Sequence, residues 1–328
     1  MNYRPLGGTG LNVSEIGFGC GNVGGLMVRG EHRDQVRAVA RAMELGINYF
    51  DTASSYGDGQ SETNLGRVLN ELVADVYVGT KFRVTTHEAV RIKENVINSV
   101  EQSLARMQRE QVDLIQMHNH VAAMPEGGSV TPGETLGEVV DALQQLRDQG
   151  KVRFWGMTGV GETPTLHQII DSGALNSVQS VYNLINPSAG VSVPAGFDMP
   201  DYGDLIGKAS ANSMGVLVIR VLAAGALSGE AERHPVAVPT VAPIGSGRDY
   251  DQDRTRANEF RFLQQEGIVE SLVEASLRFA LSNAGVSSVL VGYSSLEHLE
   301  QAVDYAGKGP LPLEALARLP EIWAEFTG

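Results

Sequence analysis

Four side chains in the first part of the chain have types suited to moving a proton. They are Asp51 in NYFDTA, Tyr56 in SSYGDG, Lys81 in VGTKF and His118 in LIQMHNH. A free phenol ionises near pH 10, too high for an efficient acid near neutrality. An ammonium beside it favours the phenolate and so makes the phenol a readier donor. A lysine inside a protein needs a carboxylate to remain charged, because an unpaired buried charge is costly. Asp51 can supply that carboxylate, and His118 can hydrogen-bond a carbonyl oxygen or share the tyrosine's proton. Together the four make a proton donor beside a carbonyl. Each one alone reads equally well as a structural residue; their order at successive strand ends is what points to chemistry.

The backbone must bring them together. Eight short runs rich in apolar residues alternate with helical patterns: 15–20, 48–52, 76–81, 113–118, 152–157, 177–182, 215–220 and 288–292. Several are nearly continuous apolar stretches, as expected of parallel strands covered on both faces. One helix is expected to start at a capping box, Thr85-Thr86-His87-Glu88, and to carry Val96, Val100, Leu104 and Met107 on one face. Another carries Val139, Leu143 and Leu146 and stops at Gly150. Eight strand–helix units without a linker predict an α/β fold, a closed (β/α)8 TIM barrel forming a single domain over residues 1–328. A doubly wound open sheet is the alternative. Gly7-Gly8-Thr9-Gly10 predicts an N-terminal β-hairpin that plugs the barrel bottom. Two long connections, 183–200 and 223–260, follow strand ends and so belong to the C-terminal, catalytic face.

Composition narrows the function classes. The 328 residues carry a formal net charge of −14, which argues against a nucleic-acid partner. No apolar run is long enough to span a membrane, and no signal peptide is evident. A single cysteine, Cys20, fits a reducing cytoplasm. His118 and His120 form an H-x-H, but the remaining histidines fall in expected helices or loops, so no metal is expected. A Rossmann dinucleotide site is not expected in this barrel reading.

The motifs GINYFDTASSYGDGQSETNLG, VGTK, VDLIQMHN, LRDQGKVRFWGMTG and VQSVYNLINP resemble the aldo-keto reductase superfamily, from about residue 3 to residue 305. The resemblance implies a barrel that reduces small-molecule aldehydes or ketones with a nicotinamide cofactor. It casts Tyr56 as general acid, Lys81 and Asp51 as the groups that tune it, and His118 as the group orienting the carbonyl. It places the nicotinamide across the barrel mouth, with the carboxamide held by Thr158 and Gln179. Gly159 stands where the family usually has asparagine, and Ile219 where it has a tyrosine that stacks on the ring. Arg220 would pair with cofactor phosphates or an acidic substrate, or serve as a structural ion-pair partner. Gly225, Gly229, Gly245, Gly247 and Arg248 would lie over the pyrophosphate. Gly292, Tyr293, Ser294 and Ser295 would bind the adenosine phosphate at a helix start. The resemblance implies NADPH by family habit, while the absence of the family's basic residues beside Ser294 and Ser295 keeps NADH as the alternative. The pocket wall is expected to include Cys20, Asn22, Phe82 and Trp155. A cofactor-binding regulatory subunit with little turnover, and a sugar or alcohol dehydrogenase, are the rival functions.

Overall fold

Residues 1–84, 91–124, 128–230 and 232–327 are described in this computed structural model. Ten strands form: β1 (Tyr3–Pro5), β2 (Asn12–Ser14), β3 (Ile16–Gly19), β4 (Tyr49–Asp51), β5 (Tyr77–Phe82), β6 (Val112–Met117), β7 (Val152–Gly159), β8 (Ser177–Val181), β9 (Gly215–Ile219) and β10 (Ser288–Gly292). Strands β3 to β10 make a closed parallel barrel in chain order. Closure is explicit in the register, since β10 pairs with β3 through Val289–Ile16 and with β9 through Ser288–Leu217. The open-sheet alternative is thereby ruled out.

Helices follow the strands: α1 (Leu26–Arg29), α2 (His32–Glu44), α3 (Gln60–Glu71), α4 (Ile92–Met107), α5 (Glu134–Asp148), α6 (Thr163–Asp171), α7 (Leu205–Ala211), α8 (Tyr250–Asn258), α9 (Phe262–Gln265), α10 (Leu272–Leu281), α11 (Leu296–Gly307) and α12 (Leu313–Trp323). Val96, Val100, Leu104 and Met107 are all buried on α4, as their spacing predicts. Val139, Leu143 and Leu146 are buried on α5, and Gly150 beyond it adopts a φ of +75°. The expected capping box at 85–88 lies outside the described residues.

Two cores hold the barrel. The larger lies between strands and helices, and the smaller fills the barrel interior. The N-terminal hairpin of β1 and β2 contributes Leu6, Leu11 and Val13 to the inner core, against Tyr49, Leu114, Leu217 and Leu290. Gly7 makes that plug fit: a Cβ there would overlap the backbone of residues 213–215, and its φ is +53°.

Two expectations change. The 223–260 connection is not one loop; it contains a 3-10 segment, Ala223–Ser228, and α8, which Asp249 caps by accepting from Gln252 N at 2.8 Å. Trp155, Phe82 and Cys20 are not pocket residues. All three are buried in the outer core, and the Trp155 indole donates to Ala174 O at 2.9 Å beneath the Arg147 guanidinium. Pleat alternation turns them to the helices because Gly156, Lys81 and Gly19 take the inward positions.

Candidate active site

The four expected residues meet at the C-terminal mouth of the barrel. Asp51 ends β4, Lys81 lies near the end of β5, His118 follows β6, and Tyr56 sits in the turn between β4 and α3. Lys81 is the hub. Its ammonium bonds Asp51 Oδ1, donates to Thr52 O at 2.7 Å and reaches the Tyr56 hydroxyl at 3.1 Å. Only 1% of Lys81 is exposed, so these three acceptors replace its hydration. Burial works against the ammonium, but Asp51 and the Tyr56 oxygen outweigh it and hold the amine above its ordinary range. Burial likewise raises the Asp51 carboxyl, opposed by Lys81, Gln179 and Tyr49, which all favour the carboxylate.

His118 faces the tyrosine edge-on, with ring centroids 6.1 Å apart. Burial first, then repulsion from Lys81 and Arg83, pushes its imidazole down to about 3. That shift favours the neutral imidazole, which can accept or donate a hydrogen bond. His120 is exposed. Among the described residues, no three His, Cys, Asp or Glu side chains converge in a way that could hold a metal. No helix among them is long and apolar enough to cross a membrane.

A proton-donor cluster at the mouth of an eight-stranded barrel matches a known lineage. The sequence profile of the Aldo/keto reductase family fits residues 15–324. The chain belongs to that family. It is 29% identical to "L-galactose dehydrogenase" of Arabidopsis thaliana over 308 residues, 92% of this chain and 87% of that protein. It is 27% identical to a "Putative voltage-gated potassium channel subunit beta" of Schizosaccharomyces pombe, covering 98% and 92%. Its fold is shared with "aldo-keto reductase AKR11C1 from Bacillus halodurans (holo form)", at a TM-score of 0.71, 22% identity and coverage of 100% and 97%. The protein is an NAD(P)H-dependent oxidoreductase of the aldo/keto reductase family.

The residues present fit a nicotinamide cofactor. Thr158 and Gln179 are register partners on β7 and β8, side by side at the mouth. The Thr158 hydroxyl is buried and has no hydrogen-bond partner among the described residues, as expected of a group kept for a ligand. Gln179 also has a task that its sequence did not suggest: its amide donates to Asp51 Oδ2 at 2.7 Å. Arg220 follows β9 with a φ of +58° and makes no ion pair among the described residues. Its guanidinium donates to Ala242 O at 3.3 Å, and burial lowers it below its usual range while the Tyr56 oxygen and Asp253 act the other way. The structural ion-pair reading of Arg220 is therefore not supported.

The other expected contacts divide. Gly225 has a φ of +105°, in a strained run with Ala223 and Ala224, and its amide is already bonded to Leu222 O at 2.8 Å. Gly229, with φ +78°, ends the same segment. The turn at 246–248 is closed onto α8: Gly247 N donates to Asp253 and Arg248 N to Gln252, both at 2.7 Å. The Arg248 side chain is exposed beside Asp249. Gly245 O accepts from Asn186, so the two long loops are tied together.

At the far end, Gly292 ends β10 and lies against Gly24, while Ser294 donates to Gly24 O at 2.7 Å and Ser295 caps α11. A cavity of about 360 Å³ opens there, lined by Ser294 and Ser295, by Arg29, Arg37 and His234, and by Glu31, Asp34 and Glu297. Arg29 lies on α1 and Arg37 on α2, the latter 3.8 Å from Asp34. Arg29 is fixed by Val236 O at 2.8 Å and Asn22 O at 2.5 Å.

Proposed function

We propose that this protein reduces an aldehyde or ketone to the alcohol, with Tyr56 as general acid and NADPH as reductant. The observation that carries this reading is the single ammonium of Lys81 placed on both Asp51 and the Tyr56 hydroxyl. A bound dihydronicotinamide supplies the hydride. The chain's own residues handle everything else. Tyr56 gives its proton to the carbonyl oxygen, and the Lys81 charge stabilises the phenolate left behind. Neutral His118 hydrogen-bonds the same oxygen and fixes the carbonyl in line with the phenol. Thr158 and Gln179 hold the carboxamide, Arg220 balances phosphate charge, and Ser294, Ser295 and Arg29 receive the adenosine end.

NADPH is preferred over NADH because Arg29 and Arg37 line the cavity beside Ser294. We infer that residues 1–328 work as one domain, in a reducing cytoplasm that suits a lone buried cysteine. The relative named as an L-galactose dehydrogenase supports a sugar as substrate and the oxidative direction as a second reading, with the same residues run in reverse. The test is steady-state turnover on a panel of aldehydes and aldoses with each dinucleotide. Turnover of about 1 per second or more with NADPH, the lower end of ordinary enzymes, supports the enzyme; saturable cofactor binding with no turnover in either direction rejects it.

A further inference from the structure

Behind Asp51, deeper in the barrel, lies a polar group with no part in the reaction described so far. Tyr49 opens β4 and points inward like Asp51 two residues later. Its ring is fully buried with Leu114 and Leu217, and its hydroxyl donates to Asp51 Oδ2 at 3.4 Å. Gly79, opposite Asp51 on β5, makes the room: a Cβ there would overlap the Tyr49 hydroxyl and come within 3.0 Å of the ring carbon that bears it. Gly79 has no left-handed φ, so the strand uses its missing side chain, not its backbone freedom. A phenylalanine would fill the barrel equally well. A tyrosine facing a glycine places one hydroxyl under one carboxylate.

The two oxygens of Asp51 are thereby divided. Oδ2 receives Tyr49 and Gln179, and Oδ1 is left to Lys81. We propose that Tyr49 is a positioning residue, anchoring Asp51 so that the carboxylate keeps the Lys81 ammonium against Tyr56. This rests on the reading of Tyr56 as the acid. The titratable groups whose charge the pair feels are Lys81 on β5, Cys20 after β3 and Asp113 on β6, and of these only Lys81 bonds Asp51.

The experiment compares wild type with Tyr49→Phe, which keeps the ring. With one donor fewer, the Asp51 carboxylate takes up its proton at higher pH. The acidic limb of the kcat–pH profile should move up by roughly half a unit, and kcat should fall about 3- to 10-fold. The dissociation constant for NADPH, read by fluorescence titration of the protein alone, should not change. A merely packing role would lower the melting temperature and leave the pH profile in place. Gly79→Ala should cost less kcat in the Tyr49→Phe background than in wild type, because the obstructing hydroxyl is gone. An unmoved profile with additive losses overturns the proposal. Tyr56→Phe, measured alongside, separates the failures. If it retains turnover, the acid assignment falls and this inference with it; if it is dead while Tyr49→Phe matches wild type, only the inference falls.

Discussion

Replacing Asp51 with asparagine keeps the shape of the side chain and removes its charge. Lys81, 1% exposed, would then keep neutral acceptors alone, Thr52 O at 2.7 Å, the Tyr56 hydroxyl at 3.1 Å and the new amide oxygen, with no countercharge. Leaving one member of a buried pair uncompensated costs about 3–5 kcal/mol. The unfolding entropy of a chain this size is about 0.7 kcal/mol per kelvin, so Asp51→Asn should melt about 4–7 °C lower. Part of that cost can be escaped if Lys81 loses its proton, and the site then has no cation to stabilise a phenolate. Turnover should accordingly fall by about two orders of magnitude, the scale of a lost acid–base contribution. The double variant Asp51→Asn/Lys81→Met has no buried charge and should recover most of the melting temperature but none of the turnover. Thermal melts and steady-state kinetics on the three proteins give the answer. A single variant within about 1 °C of wild type, or a double variant no more stable than the single, would refute the ion-pair reasoning.

Other predictions follow from the same site. His118, pushed down to about 3, lies below its unfolded value of 6.5, so the unfolded chain binds the proton first between those values. Stability should therefore fall as pH drops below 6.5, by roughly 2 kcal/mol at pH 5 from this group. Denaturant titration of His118→Asn should show a flatter pH dependence, and kcat of wild type should show no limb near 6.5. Arg29→Ala should raise KM for NADPH about tenfold or more, the loss of one charge-assisted contact, and leave KM for NADH within about twofold. Equal effects on both would place the 2′-phosphate elsewhere.

The barrel was legible because parallel strands buried on both faces read as apolar runs, VLVG at β10 and VDLIQM at β6 among them. That same coverage hid which way each side chain points. In VRFWGM, Phe154 joins the inner core while Trp155 packs against α5, and an apolar run has no polar face to fix the register. The tetrad was readable because Asp51, Lys81 and His118 stand at strand ends and Tyr56 in the turn that follows one of them. The α8 helix was not, since Tyr250–Asn258 buries only Asp253, Arg256 and Ala257 and presents no apolar stripe. Arg29 and Arg37 escaped notice as partners of Ser294 because they lie more than 250 positions earlier in the sequence. Tyr49 reads as barrel filling until Gly79 is seen opposite Asp51. Gln179 was expected to serve the cofactor alone, and only the three-dimensional arrangement joins it to Asp51.

The most direct measurement is the rate of the chemical step in a single turnover, with enzyme preloaded with NADPH and mixed with aldehyde, for wild type and Tyr56→Phe. Loss of at least about 100-fold in that step, with the NADPH dissociation constant unchanged, is the result expected if the phenol held by Lys81 delivers the proton. A variant that reduces the aldehyde within about threefold of the wild-type rate would show that the proton comes from another group.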